Sequence, residues 1–252
     1  MSELNNNENN ASFGYKKVTE KEKTMLVDNL FTDVTERYDL MNDLMSFGLH
    51  RFWKKYFLLC SNIKKGDKVL DLASGTGDIT KLISKAVGNE GLVISCDINY
   101  SMLNQGRNNL IDKGIIKNIS YVQSDAQVLS FEKNSFDHVT MAFGLRNTAN
   151  INKALDSIYN VLKPGGTIQV LEFSKAEKII EKPYKIFLDN FVPFLGKYVA
   201  KDEGSYKYLA ESITLHPSQE ELIKKMENSN FKRCKYNNLS FGVVSIHKGY
   251  KV

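Results

Sequence analysis

A glycine-rich turn, Ser74-Gly75-Thr76-Gly77-Asp78, directly follows the mostly apolar run of residues 69–73. A strand-to-helix turn that brings backbone close to a ligand needs residues that tolerate positive φ and carry no Cβ, and Gly75 and Gly77 meet this need. The next apolar run ends at Asp97, where a carboxylate can accept hydrogen bonds from both hydroxyls of a ribose. These residues predict a site for an adenosine-like ligand, although so short a motif also suits a turn with a purely topological role.

Two residues distinguish this turn from a dinucleotide-binding turn. The dinucleotide fingerprint has a third glycine that lets the helix pack closely on the strand, and Thr80 stands at that position here. Asp78 places a carboxylate where the positive end of the following helix would otherwise attract a pyrophosphate. Both residues favour a ligand without phosphates, and S-adenosylmethionine fits that description. A nicotinamide-dependent oxidoreductase stays open as the alternative, because the glycine turn and Asp97 also suit that class.

Composition narrows the class of protein. A chain of 252 residues with 42% hydrophobic content predicts one domain with a sizeable core. The net charge of +5 is dispersed, which predicts no nucleic-acid partner but allows attraction to an anionic membrane face. The three cysteines show no metal-ligand or disulfide spacing, so we expect no metal site and a reducing, cytoplasmic setting. No secretory or membrane-spanning segment is evident, and peripheral contact with the inner face of the membrane is compatible with the sequence.

The hydrophobic pattern predicts an α/β fold. The polar, Asn-rich residues 1–14 predict a disordered lead-in to a single domain over residues 15–252, and three- and four-residue spacing over residues 15–62 predicts an N-terminal helical cap. Strand-like runs then alternate with amphipathic segments, at residues 68–72, 92–97, 119–123, 136–143 and 167–173. Such alternation predicts a mostly parallel sheet with helices on both faces.

Two further segments complete the predicted fold. A helix from about Ile151 is expected to end at residues 162–166, where Pro164 stops the helix and Gly165 and Gly166 turn the chain into the next strand. The closing runs, residues 233–239 and 243–250, are too close together for a crossover helix and predict an antiparallel hairpin, giving seven strands. An aromatic-rich helical insertion is expected at residues 182–215, where it would lie over an acceptor site.

Several longer motifs narrow the class further. The segments Tyr38 to Lys54, Phe143-Gly144-Leu145-Arg146-Asn147, Tyr206 to Ile213 and Gly242 to Lys251, together with the glycine turn, resemble those of the ubiquinone/menaquinone biosynthesis C-methyltransferases, a family of class I S-adenosylmethionine-dependent methyltransferases with a Rossmann-like fold. The resemblance runs from about Val18 to the end of the chain. It implies methyl transfer from S-adenosylmethionine to a ring carbon of a polyprenylated quinol. Whether the acceptor is the benzoquinol, the naphthoquinol or both stays open, as does a methyltransferase with another small-molecule acceptor.

The resemblance also implies which residues bind the cofactor. We expect them to be Asp71, Gly75, Thr76, Gly77, Asp97, Asp125, Ala126 and Ala142. Within this set, Asp97 would bind the ribose, and Asp125 with Ala126 would lie beside the adenine. Ala142 departs from the family, where a serine is common at this position. That departure leaves room for a non-catalytic member that stabilises a quinone-synthesis complex.

The expected catalytic residues are Arg146, Asn147 and His50. Removing a proton from a quinol hydroxyl makes the ring carbon nucleophilic, so a base or a group that stabilises the phenolate should face the ring. Arg146 could stabilise the phenolate or hold its loop through an ion pair, Asn147 could act or merely form a turn, and His50 could be the base or a structural residue. The aromatic residues of the insertion suit either a channel for a prenyl tail or the interface of a homodimer.

Overall fold

The structure, a computed structural model, describes residues 11–200 and 202–252. Within these residues, one seven-stranded sheet has the order β5-β4-β3-β6-β7-β9-β8, and β1 and β2 form a separate antiparallel pair. The strands are β1 Ala11–Phe13, β2 Lys16–Val18, β3 Lys68–Leu72, β4 Leu92–Asp97, β5 Ile119–Gln123, β6 Phe136–Ala142, β7 Leu162–Phe173, β8 Lys232–Leu239 and β9 Val244–Tyr250. Strands β3 to β7 pair in parallel, whereas β9 is antiparallel to β7 and β8. The predicted Rossmann-like sheet with an antiparallel C-terminal hairpin is thereby confirmed.

Helices cover both faces of the sheet and form a layer over one of its edges. They are α1 Glu20–Val34, α2 Tyr38–Ser46, α3 Leu49–Leu59, α4 Asp78–Val87, α5 Tyr100–Asp112, α6 Ile151–Val161, α7 Lys178–Ile186, α8 Val192–Leu195, α9 Glu203–Leu215 and α10 Gln219–Asn228. Short 3₁₀ turns stand at Thr35–Arg37 and Leu145–Asn147, and π-helical turns at Phe187–Phe191 and Gly196–Ala200 link the helices of the insertion. Reciprocal capping boxes fix the starts of α1, between Thr19 and Glu22, and of α10, between Ser218 and Glu221.

Three apolar clusters hold these layers together. One cluster packs α6 and α10 onto one face of the sheet, around Leu155 and Met226. A second packs α3 and α4 onto the opposite face, around Trp53 and Ile83. The third lies outside the sheet and joins α2 to the insertion and α9; its buried members are Met41, Met45, Leu188, Val192, Leu195, Tyr206, Leu209, Ala210 and Ile213. The N-terminal cap and the insertion therefore share a core of their own above the sheet.

Two details differ from the expected layout. Residues 11–13 pair with residues 16–18 as a β-hairpin, so the expected disorder of residues 1–14 is wrong for its last residues, while residues 1–10 lie outside the described part of the chain. The fifth strand also begins earlier than expected, at Leu162 directly after α6 and not at residue 167. The expected turn residues lie inside this early stretch, where the register against β6 is irregular between Leu162 and Thr167 and Gly165 takes φ near 82°. A proline is tolerated there because this early part of the strand pairs irregularly with β6.

The chain changes direction across the sheet beside β3. It runs from β3 through β4 to β5 on one side and then returns to β6 on the other side of β3. Such a switch point leaves a crevice at the carboxyl ends of the strands, and ligands of open α/β sheets bind there. Ala73 and Phe143 follow β3 and β6 at this edge, and both take positive φ, near 50° and 57°. Non-glycine residues in this conformation are uncommon and concentrate at functional sites.

Gly144 offers a test of how tightly this edge is packed. A Cβ on Gly144 would stand 2.3 Å from the Cβ of Ala73, whereas a Cβ on Gly204 in α9 would meet no heavy atom nearer than 3.9 Å. We expect Gly144→Ala to lower the free energy of unfolding by about 1–3 kcal/mol through overpacking. Gly204→Ala should leave it unchanged or raise it by up to about 1 kcal/mol, because alanine favours a helix. Urea denaturation of both variants checks this, and equal stabilities would contradict the packing argument.

Candidate active site

A cleft opens at the carboxyl ends of β3, β4, β5 and β6. Its empty space is about 770 Å³, which includes space open to solvent. Its floor consists of residues that follow the four strands, and helix α1 closes it from above with Thr24, Val27, Asp28 and Phe31. Five of the residues expected to bind the cofactor line this cleft: Gly75, Asp97, Asp125, Ala126 and Ala142.

Asp97 is the central acceptor of the cleft. Its Oδ2 accepts the backbone N–H of Gly75 at 2.8 Å, and its Oδ1 accepts the backbone N–H of Asn99 at 2.9 Å. These bonds fix the carboxylate, and each oxygen retains acceptor capacity for a further donor. Burial raises the pKa of Asp97 to about 6. The carboxylate is therefore charged at neutral pH and suited to bind two neighbouring hydroxyls.

Asp71, Thr76 and Gly77 do not line the cleft. The Asp71 carboxylate accepts hydrogen bonds from Thr80 at 2.6 Å and Thr140 at 2.8 Å, so it joins β3 to α4 and β6. Burial raises its pKa to about 6. The Thr76 hydroxyl donates to Asp39 of α2 at 3.0 Å, and Gly77 precedes α4 with φ near 88°. These residues shape the turn, and none of them has a side-chain atom in the cleft wall.

The turn differs from a dinucleotide site in three contacts. Thr80, at the position of the third glycine, uses its hydroxyl on Asp71. The Asp78 carboxylate stands in the first turn of α4 and binds the Lys54 ammonium at 2.8 Å, so a charged pair already occupies this helix end. A glycine allows close packing at another helix instead: Gly106 of α5 lies against the turn, and a Cβ there would stand 2.5 Å from the carbonyl oxygen of Gly75. The residues therefore fit an adenosine without phosphates, as predicted.

Helix α1 is the part of the site that sequence reasoning missed. The Asn99 side chain donates to the backbone oxygen and carboxylate of Asp28 and to the Thr32 hydroxyl, at 2.8–2.9 Å. The Lys23 ammonium donates to the carbonyl oxygen of Arg146 at 3.3 Å, and burial lowers its pKa to about 8. These contacts tie α1 to the ends of β4 and β6. Asn99, two residues after Asp97, was a signal in the sequence, but its partners lie 67 or more residues away.

A second cavity adjoins the cleft, and its empty space of about 550 Å³ includes space open to solvent. Phe31, Tyr38 and Phe143 line both spaces, so the two share a wall. The remaining lining of the second cavity is mostly apolar and comes from the cap, the sheet edge and α9: Leu30, Met41, Asn42, Met45, Ser46, His50, Trp53, Arg146, Phe173, Ser205, Tyr208 and Leu209. The structure thus brings His50 and Arg146, which are 96 residues apart in sequence, to one cavity.

One ring nitrogen of His50 is paired with a carboxylate and the other has no partner. Its Nε2 lies 2.8 Å from Oδ1 of Asp43, which selects the tautomer with the proton on Nε2. Its Nδ1 is buried and has no hydrogen-bond partner in the structure. Burial lowers the pKa of His50 below its usual value, despite the neighbouring carboxylate. The ring is therefore neutral at pH 7 and has a free lone pair at a cavity wall.

Arg146 is held by a buried carboxylate. Its Nη1 donates to Oε1 of Glu172 at 2.8 Å and to the carbonyl oxygen of Phe143 at 2.6 Å. The Glu172 side chain is fully buried and that of Arg146 is 7% exposed. Glu172 also accepts the backbone N–H groups of Arg146 and Phe173. The Nε of Arg146 is buried without a hydrogen-bond partner, so the ion pair and a free donor occur in the same side chain.

Asn147 has a different environment from Arg146. It lines the cleft, its Oδ1 accepts the Tyr208 hydroxyl at 3.0 Å, and its Nδ2 donates to the carbonyl oxygen of Phe143 at 3.4 Å.

Tyr184 of α7, which sequence reasoning also missed, has a buried hydroxyl without a partner and packs against the third apolar cluster. In the described part of the chain, no group of three or more His, Cys, Asp or Glu side chains could hold a metal ion.

Comparisons with known proteins agree with this architecture. The family model described as the ubiE/COQ5 methyltransferase family matches residues 16–251. The ubiquinone/menaquinone biosynthesis C-methyltransferase UbiE of Idiomarina loihiensis is 50% identical over 97% of this chain and 98% of its own length. The enzyme of the same name from Psychromonas ingrahamii is 51% identical over 98% of this chain and 99% of its own.

A solved structure shows the same fold at low sequence identity. The S-adenosylmethionine-dependent methyltransferase of Aquifex aeolicus has a TM-score of 0.59 and 19% identity, over 79% of this chain and 89% of its own. This structural match covers the α/β fold, whereas the family model covers almost the whole chain. This chain therefore belongs to the ubiE/COQ5 methyltransferase family and has the fold of an S-adenosylmethionine-dependent methyltransferase.

Proposed function

We propose that this protein methylates a ring carbon of a polyprenylated quinol in ubiquinone or menaquinone biosynthesis, with S-adenosylmethionine as the donor. The observation that carries the proposal is the shared wall of Phe31, Tyr38 and Phe143 between a cleft suited to adenosine and an apolar cavity that contains His50 and Arg146. The names of its relatives give the same reaction class. Its three cysteines are unpaired, in agreement with a cytoplasmic setting.

Gly75, Asp97, Asp125, Ala126 and Ala142 are the residues that would hold the donor. When bound, S-adenosylmethionine supplies a methyl group already activated by a sulfonium. Asp97 would bind the ribose hydroxyls with its two fixed oxygens. Helix α1 covers this cleft and excludes water, which is much of what a displacement at an activated methyl group requires from the protein.

His50 would act as the general base toward a ring hydroxyl. Its free Nδ1 accepts the proton, and the Asp43 carboxylate stabilises the positive ring that results. The unpartnered Nδ1 at the second cavity supports the catalytic role for His50 over the structural one.

Arg146 would stabilise the negative charge that develops on the ring oxygen. The Glu172 carboxylate holds the guanidinium through Nη1 and leaves Nε free to donate to an oxygen in the cavity. A donor held in place beforehand needs no reorganisation during the reaction. The ion pair that holds the loop and the catalytic role are therefore compatible, and Asn147 would position the Tyr208 hydroxyl at the same edge.

The reaction itself is the first test. Purified protein with S-adenosylmethionine should convert a reduced, short-chain demethylated benzoquinol or naphthoquinol into a product one methyl group heavier by mass spectrometry. Calorimetry should show binding of S-adenosylmethionine and none of NADH, because Lys54 and Asp78 occupy the helix end that a pyrophosphate needs. Failure to methylate either quinol while the cofactor binds would contradict the proposal, and tighter binding of NADH would favour an oxidoreductase.

The pKa of Asp97 predicts how cofactor binding depends on pH. Because burial raises this pKa to about 6, protonation below that pH removes a charged acceptor. We expect the affinity for S-adenosylmethionine to be constant above pH 7 and to fall toward tenfold per pH unit below 6. In Asp97→Asn, affinity should be lower by about tenfold or more and lose this pH dependence. Calorimetric titrations from pH 5 to 8 check both, and an unchanged pH profile in the variant would refute the assignment.

His50→Gln tests the base. We expect kcat for quinol methylation to fall by roughly 10²- to 10⁴-fold, with the affinity for S-adenosylmethionine unchanged. Asp43→Asn should lower kcat less, because the base remains. Arg51→Ala is the matched control, since the exposed Arg51 contacts the same Asp43 carboxylate and its loss leaves the contact with His50 in place. Similar kcat values for His50→Gln and Arg51→Ala would place the base elsewhere.

A further inference from the structure

The helical segment that follows β7 exposes a row of large apolar side chains. Ile179, Ile186, Phe191, Phe194 and Tyr198 are 37–79% exposed, and the neighbouring Phe47 at the end of α2 is 72% exposed. We call these six residues the exposed ridge. Monomeric proteins expose single apolar residues routinely, but contiguous groups of this size mark interaction sites.

Ring contacts join the exposed ridge across two parts of the chain, at Phe47 of the cap and Phe191 of the helical segment. The ring centroids of Phe47 and Phe191 lie 5.9 Å apart, and Phe187 lies 6.1 Å from Phe47 and 5.2 Å from Phe191. Phe194 and Tyr198 follow along the helical segment at 4.9 Å from each other. The cap and the insertion thus present one aromatic surface.

The opposite side of the same segment leads toward the acceptor cavity. Leu188, Val192 and Leu195 are buried in the third apolar cluster together with Met41, Met45 and Leu209. Those last three residues also line the second cavity. One helical layer therefore separates the cavity from the exposed ridge, and that layer is apolar on both sides.

The charges beside the exposed ridge are mainly positive. Residues 178–198 contain four lysines, Lys178, Lys182, Lys185 and Lys197, all exposed, against Glu181 and Asp189. The Lys197 ammonium lies 5.3 Å from the centre of the Tyr198 ring. Aromatic and aliphatic side chains interspersed with lysines on a helix are the composition of segments that lie in a membrane interface. The centre of a protein–protein interface, by contrast, is depleted in lysine.

We propose that the exposed ridge docks the protein on an anionic lipid bilayer. The apolar side chains would enter the headgroup and acyl boundary, and the lysines would contact anionic headgroups. This inference rests on the proposed function in one respect: a polyprenylated quinol resides in the bilayer, and docking at this surface places the acceptor cavity beside it. Among the helices of residues 11–200 and 202–252, none is long and apolar enough to cross a membrane.

A matched pair of double variants tests the docking surface. The test variant combines Lys185→Glu with Ile186→Ser in the exposed ridge and its flanking lysines. The control variant makes the same two changes, Lys117→Glu and Ile116→Ser, on the loop before β5. The two isoleucines are 63% and 66% exposed, and both lysines are exposed. Sedimentation with phosphatidylcholine vesicles, with and without about 30% phosphatidylglycerol, measures binding. Phe194→Ser with Tyr198→Ser tests the aromatic part of the exposed ridge.

We expect the wild type to bind the anionic vesicles more tightly than the neutral ones. The Lys185 and Ile186 double variant should lose at least about fivefold in vesicle partitioning, and the Lys117 and Ile116 control should stay within about twofold of the wild type. All variants should retain thermal stability and activity toward a water-soluble short-chain quinol. That activity separates the two proposals: vesicle binding without methylation of any quinol would support the docking surface and contradict the acceptor.

Three results would overturn the docking surface. The first is a wild type that binds neither kind of vesicle. The second is equal vesicle binding by the test and control variants. The third is light scattering that shows a dimeric wild type and a monomeric Lys185 and Ile186 variant without lipid, because the exposed ridge would then be an interface between copies of this chain.

Discussion

The buried pair of Glu172 and Arg146 is the constraint on which the acceptor side of this protein depends. A fully buried carboxylate is tolerable only when its hydrogen-bond capacity is satisfied, and Glu172 accepts from the Arg146 side chain and from two backbone N–H groups. Separation of the two partners would leave an unpaired charge inside the protein. The ion pair therefore fixes the conformation of the loop after β6, which bears Arg146. That arrangement directs Phe143 with positive φ into the wall shared by the two cavities and leaves the Arg146 Nε free.

The cleft depends on comparable contacts at the end of β4. Asp97 is fixed by backbone N–H groups, and Asn99 beside it anchors α1 across the cleft. Helix α1 in turn reaches the Arg146 carbonyl oxygen through Lys23. Helix α1, which covers the cleft, and the loop that bears Arg146 are thus directly linked.

Much of the fold was predictable because its signals are local. The strands of the sheet alternate with helices at the spacing of a parallel sheet, and the predicted bounds of β3, β4 and β5 agree with the structure. The prediction was wrong at residues 11–13, where a short hairpin forms from a segment without a hydrophobic pattern, and it placed the start of β7 five residues late, at 167 where the structure has Leu162. In both places pairing with another strand decided the bounds of the element, and pairing is not visible in a short window of sequence.

The sequence by itself determined the family, the sheet and the class of donor, because the glycine turn, Asp97 and the long motifs carry that information in adjacent residues. Only the tertiary structure separated the residues that line the cleft from Asp71, Thr76 and Gly77. Asp71 accepts hydrogen bonds from Thr80 and Thr140, Thr76 donates to Asp39, and Gly77 stands at the start of α4. The tertiary structure also brought His50 and Arg146 to one cavity and paired each with a carboxylate. Side-chain direction at a strand end and contacts between segments about a hundred residues apart arise from packing, which short-range sequence patterns do not encode.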